Sequence, residues 1–200
     1  MAAHAALDGL AGLAPRQPED LLLRCRGVIR AVQGRGSGAD VAASILGGVV
    51  AYRAEPCAWR RVAETLPLVA AYSGSKEKTA VVIAVVERLR AAHPEAVAAI
   101  FRAMDTVTAE GVAALESAAW PRVGAAMNMG QGLMDAIGVS NARLAAMVAA
   151  LRGAAGIHGA KISGSGLGDC VIGLGTVAAD AVLPFSLLPV GVSGKGVVYE

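Results

Sequence analysis

The stretch "GAKISGSGLGDCVIGLG", Gly159 to Gly175, sets the tightest condition on the fold of this chain. Two short apolar segments, "GAKIS" and "CVIGLG", flank a run whose glycines admit backbone conformations closed to other residues. Segments this short, bounded by turn chemistry, read as adjacent strands joined by a tight loop. Two readings hold for the loop: a turn that needs positive φ, or a row of unencumbered amides that cradles phosphate. Lys161 stands just before it as a nearby positive charge.

The rest of the chain alternates between helical and strand-like patterns. The opening "AAHAALDGLAGLAPRQPEDLLLRCRGVIRAV" predicts two helices broken by Gly12, Pro15 and Pro18, the second starting at Pro18-Glu19-Asp20 with acids at its positive end. "QGRGSGAD" is a loop, "VAAS" a short helix and "GGVVAYR" a buried strand. A second strand, Leu66 to Tyr72, runs into the polar loop "SGSKEKT" and the helix "AVVIAVVERLRAAH", which Pro94 closes. Helical periodicity continues to Arg152, with breaks at Trp120-Pro121 and Gly138-Val139-Ser140; Ser140 is the expected N-cap of the last helix. Beyond the paired strands, "TVAADAVLPF" predicts a helix and "LLPVGVSGKGVVYE" a final strand. No internal repeat or low-complexity linker interrupts this order. It predicts an α+β sandwich, with helices on one face of a mainly antiparallel sheet.

Composition removes several functions. A hydrophobic content of 55% over 200 residues is enough for a sizeable core and argues against disorder. The net charge of +2 comes from 18 basic and 16 acidic residues spread along the chain, which is no electrostatic footprint for nucleic acid. Cys25, Cys57 and Cys170 are odd in number and lack CxxC spacing, which fits a reducing cytoplasm better than a disulfide scaffold or a zinc site. The N-terminus has no basic n-region and carries Asp8 where an apolar leader core would lie, so no secretory leader is expected. Val171 to Val192 is broken by Gly173, Gly175, Asp180, Pro184 and Pro189, so no membrane span is expected there.

Two further loops carry residues with chemistry. In "GRGSGAD", glycines around Ser37 let backbone N–H groups approach a ligand, and Asp40 is placed to accept a proton from a hydroxyl. Asp40 also reads as the cap of the helix that follows. "SGSKEKT" offers Ser73, Lys76, Lys78 and Thr79 around one glycine, enough to hold an anion, although the same composition is ordinary for a solvated turn. His4, His93 and His158 show no ligand spacing, and Met127, Met129 and Met134 fit core packing better than a cofactor box.

In this order the loops resemble a known family. "QGRGSGADVAASILGGVVAYR", "AAYSGSKEKT", "MNMGQGLMDAIGVS" and "GIHGAKISGSGLGDCVIGLG" resemble the galactokinase, homoserine kinase, mevalonate kinase and phosphomevalonate kinase superfamily, the GHMP kinases, over nearly the whole chain. The most specific parts are the Ser-Gly-x-Asp element ending at Asp40, with Gly47-Gly48 after it, and the element from Gly159 to Cys170. The helix from Met127 is most similar to mevalonate kinase; "QGRGSGADVAAS" and the Gly-Asp-Cys step are similar to phosphomevalonate kinase. The resemblance implies transfer of the γ-phosphoryl group of ATP, with Mg²⁺, to the hydroxyl of a small alcohol, mevalonate before phosphomevalonate. It implies Asp40 as the catalytic base or the carboxylate that orients the hydroxyl. Substrate or phosphate contacts are implied for Ser37, Gly38, Ser73, Lys76, Lys78, Thr79, Lys161, Ser163, Gly164, Ser165, Gly166 and Gly168; no metal ligand is assigned. Residues 1–58 would be the remnant of a ribosomal-protein-like N-terminal domain and 59–200 a ferredoxin-like C-terminal domain.

Two departures from the family bear on activity. The main phosphate loop of GHMP kinases, Pro-x-x-x-Gly-Leu-x-Ser-Ser-Ala, lies upstream of the region matched here. The place of a magnesium-ligating glutamate of mevalonate kinases falls on Ile29, with no carboxylate between Asp20 and Asp40. The expectation is a kinase C-terminal part whose N-terminal half is supplied in trans by a second polypeptide or was lost by truncation, with an apolar surface that also predicts association as homodimers. Beside it stand a catalytically silent binding module and a nucleic-acid platform, the latter disfavoured because the strands lack aromatic RNP residues.

Overall fold

The computed structural model of the chain describes residues 17–34 and 36–198. Its contacts divide the chain into two units: the residues up to Leu66 with the segment from Val192 onward, and Pro67–Gly191. The helix predicted ahead of Pro15 lies outside the described residues.

In the first unit, α1 (Pro18–Gln33) starts with Pro18 in its first turn, and Glu19 and Asp20 complement the positive end of the helix dipole. Leu21, Leu22 and Cys25 recur on one helical face and are buried against Val41, Ala42, Ile45 and Leu46 of α2 (Ala39–Leu46). β1 (Val49–Arg53) and β2 (Ala58–Ala63) form an antiparallel hairpin in which Tyr52 faces Trp59, and both rings pack on that cluster. β2 is an addition to the sequence expectation. A register shift at the Val49/Val50 step breaks the alternation that would announce it. The C-terminal segment returns to this unit: the Val197 N–H donates to the Ile45 carbonyl at 3.1 Å, and the Gly48 N–H to the Ser193 carbonyl at 2.6 Å.

The second unit is built on a three-stranded antiparallel sheet in the order β3 (Leu68–Tyr72), β5 (Cys170–Gly175), β4 (Ile157–Ile162). β4 and β5 are the hairpin expected around the glycine-rich loop, with Ile162 opposite Val171. Between β3 and β4 the chain runs through α3 (Thr79–Ala92), α4 (Pro94–Glu116), α5 (Trp120–Ala136) and α6 (Ala142–Gly153). Leu144, Met147 and Leu151 of α6 are buried against Ala160, Ile162 and Val171 of the sheet. The protein is therefore α+β, with antiparallel strands, as the element order predicts.

α5 closes the open edge of β4. A Cβ on Gly124 would collide with the His158 carbonyl, and one on Gly159 with the Gly124 carbonyl, so helix and strand backbones touch. Along the same helix, the Asn128 Oδ1 accepts from the Ala160 N–H at 3.0 Å and the Gln131 Oε1 from the Ile162 N–H at 2.7 Å. Side-chain amides thus take the place of a fourth strand, satisfying edge donors that a covering helix would otherwise strip of water. Gln131 is only 3% exposed, and its Nε2 donates to the Asp135 Oδ1 at 2.9 Å. Gln131→Leu keeps the volume and leaves the Ile162 N–H unpaired, so it is expected to destabilise by about 1–3 kcal/mol. Urea unfolding checks this through a lower midpoint at unchanged slope. A midpoint equal to the parent's would show that the amide does not hold the edge.

Two expectations are corrected. Residues 176–198 form neither the predicted helix nor the predicted strand. Pro184 and Pro189 withhold N–H donors, and the segment bonds sideways instead: the Ala178 N–H to the Ala155 carbonyl at 3.1 Å, and the Leu188 N–H to the Ala70 carbonyl at 2.8 Å. The N-cap of α6 is Asn141 rather than Ser140, its Oδ1 accepting from the Leu144 N–H at 2.9 Å. Ser140 is left with a buried hydroxyl that has no partner among the described residues. No helix among them is long and apolar enough to cross a membrane.

Candidate functional site

In the first unit, the turn Ser37–Asp40 is seated on α1 and β1. Gly38 takes a left-handed conformation, φ 82°, as the N-cap of α2. A Cβ there would lie 2.6 Å from the Arg26 Cγ, so both backbone and space demand glycine. The Tyr52 hydroxyl donates to the Ser37 carbonyl at 2.6 Å, and the Ser37 Oγ accepts from the Ala39 N–H at 3.3 Å. Burial pushes the Tyr52 hydroxyl above its ordinary pKa, which keeps it a donor. Arg26 is buried beneath the turn and donates to the Ala54 carbonyl at 3.0 Å and the Glu55 Oε1 at 3.1 Å. Arg30 reaches the same oxygen at 2.7 Å, and its hydrogen bond holds the exposed Glu55 carboxyl below the usual range.

Asp40 lies inside the first turn of α2, two residues past the N-cap Gly38, and is not the cap that sequence also allows. Its Oδ1 accepts from the Val41 N–H at 2.9 Å. Its Oδ2 has no partner among the described residues, and the side chain is exposed. One oxygen is thus anchored at the positive end of a helix while the other is open to a donor such as a hydroxyl.

In the second unit, the glycine-rich loop is held at its ends and in its middle. The Ser163 N–H donates to the Cys170 carbonyl at 2.9 Å, closing the hairpin. Gly164, Gly166, Leu167 and Asp169 have φ of 81°, 95°, 57° and 68°, a run in the left-handed region that glycine makes accessible. A Cβ on Gly166 would collide with the Val139 carbonyl, the group to which the Leu167 N–H donates at 2.7 Å. Past the crest, the Asp169 N–H donates to the Ser75 carbonyl at 2.6 Å and the Ser73 N–H to the Asp169 carbonyl at 2.9 Å. Lys76 Nζ pairs with Asp169 Oδ2 at 2.9 Å, and that bond raises the Lys76 pKa above the ordinary lysine value. Gly168 allows the approach, since a Cβ there would lie 2.9 Å from the Ser75 oxygen.

The structure therefore brings Ser73, Lys76, Gly166 and Gly168 to one junction and adds Asp169 and the Val139 backbone, which sequence reasoning did not nominate. The charge of Lys76 is already matched by Asp169. Gly164 stands exposed with open space around it, so the crest of the loop is accessible. Lys78 and Thr79 are exposed at the start of α3; the Lys78 N–H donates to the Glu77 Oε1 at 2.9 Å, and the Thr79 amide is left for an anion. Ser37, Gly38 and Asp40 belong to the other unit. Lys161 lines a cavity with residues of α4 and α5, and no residue of either loop lines that cavity. Arg26 and Tyr52, which support the Ser37–Asp40 turn, carried no signal in the sequence beyond their place in a helix and a strand.

Residues 112–184 match the family described as GHMP kinases C terminal. The C-terminal part of this chain is a GHMP kinase C-terminal domain. The chain is 35% identical over 162 residues to a mevalonate kinase of Aeropyrum pernix, a match covering 80% of this chain and 50% of that protein. It is 37% identical over 151 residues to a mevalonate kinase of Thermococcus gammatolerans, covering 72% and 44%. It thus spans about half the length of the curated relatives it matches. Among solved structures, L. major mevalonate kinase in complex with R-mevalonate shares the fold with a TM-score of 0.75 at 24% identity, over 91% of this chain and 60% of that one. Streptococcus pneumoniae phosphomevalonate kinase shares it with a TM-score of 0.67 at 16% identity, over 86% and 58%.

No group of three or more His, Cys, Asp or Glu among the described residues is placed to hold a metal ion. Ile29, where the resemblance asks for a glutamate, packs against the apolar cluster of α1 and α2.

Proposed function

We propose that this chain forms the acceptor-side part of an ATP-dependent small-molecule kinase whose preferred acceptor is mevalonate. The observation that carries the reading is Asp40, exposed in a Ser-Gly-x-Asp turn with one oxygen fixed by the Val41 N–H and the other without a partner among the described residues. In this reading the acceptor hydroxyl oxygen attacks the γ-phosphorus of ATP while Asp40 takes the hydroxyl proton; the bond from the γ-phosphorus to the bridging oxygen breaks, and ADP leaves. The amides of Gly164, Ser165, Gly166 and Gly168, together with the amide and hydroxyl of Thr79 at the start of α3, supply donors for phosphate oxygens. The nucleotide loop comes from the part of the curated relatives that this chain does not span, on the same polypeptide or a second one. Phosphomevalonate is the second acceptor, favoured by the Gly168-Asp169-Cys170 step.

The test is ADP release with each acceptor, by the chain alone and by the chain joined to the part of the Aeropyrum pernix mevalonate kinase that it does not match. Turnover of mevalonate by the joined protein supports the reading, and turnover of phosphomevalonate alone moves the acceptor. A joined protein that binds ATP and turns over neither substrate would establish a silent binding module.

A further inference from the structure

Lys161 of β4 stands at a cavity that no residue of either glycine loop lines. Its side chain enters a cavity of about 230 Å³ walled by Met104, Val107 and Leu115 of α4 and by Val123 and Met127 of α5. Thr108 and Lys161 are the polar side chains of this lining. The ammonium donates to the Ile162 carbonyl, its own neighbour in sequence, and two of its three donors have no partner among the described residues. No carboxylate pairs with it among the described residues, and burial pushes its pKa below the ordinary lysine range.

The wall contributed by α5 is open where a side chain would ordinarily fill it. Gly130 lies in a helix, where glycine is disfavoured by about 1 kcal/mol relative to alanine. A Cβ built there meets nothing within 4 Å, so the space above it is real and no backbone neighbour requires the glycine. Gly111, across the groove on α4, would by contrast bring a Cβ to 3.3 Å from that of Ala126.

We propose that this cavity is a binding site for an amphiphilic monocarboxylate, its carboxylate on Lys161 and Thr108 and its short apolar tail between α4 and α5. One ligand then removes two liabilities at once, a cation without a counter-charge and an apolar void. A carboxylate has one charge and two acceptor oxygens, matching one ammonium and one hydroxyl. A phosphate dianion would bring a second charge that the apolar walls leave uncompensated. The volume exceeds the ~150 Å³ apolar cavity that holds benzene, and in proportion admits roughly nine non-hydrogen atoms. Heptanoate has that size. The site stands apart from the phosphoryl-transfer reading, because binding is measured without turnover.

The experiment is calorimetric titration of heptanoate into the full chain, with heptan-1-ol and heptylamine as matched tails. Heptanoate is expected to bind with a dissociation constant on the order of 0.1 mM. The alcohol should bind at least about tenfold weaker and the amine not at all, since the cation is what anchors the head group. Lys161→Met keeps an unbranched apolar stem and should lower heptanoate affinity at least about tenfold. It should also raise the melting temperature of the free chain, because at neutral pH the parent carries a partly desolvated ammonium whose folded pKa lies below its unfolded value. Gly130→Leu fills the void from the opposite wall and should abolish binding with the far-ultraviolet spectrum unchanged. No saturable heat up to about 10 mM, or equal affinity in Lys161→Met, would overturn the proposal. Retained binding in a folded Gly130→Leu variant would overturn it as well.

Discussion

Asp40→Asn in the joined kinase is expected to lower kcat by about 10²- to 10⁴-fold, with little change in KM for the acceptor. Asparagine keeps the shape of the side chain and an oxygen that accepts from the Val41 N–H, a bond of 2.9 Å in the parent. Only the capacity to take a proton at the other oxygen is lost. A helix-terminus role makes the opposite forecast, because its charge acts through the dipole of α2. Losing it would lower the melting temperature modestly and leave turnover alone. The two roles therefore separate in one variant, through kcat on one side and thermal unfolding on the other. Asp169→Asn is the control, since it removes a carboxylate whose partner is the exposed Lys76 and is expected to change kcat far less. Turnover by Asp40→Asn within tenfold of the parent would dismiss Asp40 as the base.

The parts of this molecule that the sequence announces are those governed by local chemistry. The hairpin of β4 and β5 is legible because glycines between two short apolar runs leave few alternatives, and the loop does hold a run of positive φ. The start of α1 is legible because proline and two acids are local preferences of a first helical turn. What is hidden depends on partners distant in sequence. Asn128 and Gln131 look like polar residues of an amphipathic helix, and their role exists only because β4 ends the sheet beside them. Lys161 sits next to a phosphate-like loop in sequence, yet a strand sends its side chain away from the chain direction, here into the α4–α5 cavity. The segment after β5 has helical composition, but its carbonyl and amide partners lie on Ala155 and Ala70, which no local pattern reveals. Asp169 is intermediate: aspartate is among the residues that tolerate the left-handed conformation it adopts, while its pairing with Lys76 joins two loops far apart in the chain.

Gly124→Val is expected to have the largest effect on stability, a loss of at least about 4 kcal/mol, against a total that for domains of this kind is about 5–15 kcal/mol. The position is helical and glycine is unfavourable there by itself, so intrinsic propensity predicts a gain from almost any substitution. Packing reverses the sign, because a Cβ would collide with the backbone of His158 and Gly159, groups that no rotamer change can move aside. To relieve the collision α5 must retreat from β4, and the retreat breaks the Asn128 and Gln131 bonds to the Ala160 and Ile162 amides together. Those donors are then buried without partners, so the damage is cooperative and exceeds the steric term alone. Gly130→Ala on the same helix is the matched comparison: nothing lies within 4 Å of its Cβ, so it should gain up to about 1 kcal/mol. Chemical denaturation of the two variants reads the difference directly. Equal midpoints would mean that α5 stands off the strand, a geometry in which an amide bond of 2.7 Å between Gln131 and Ile162 could not form.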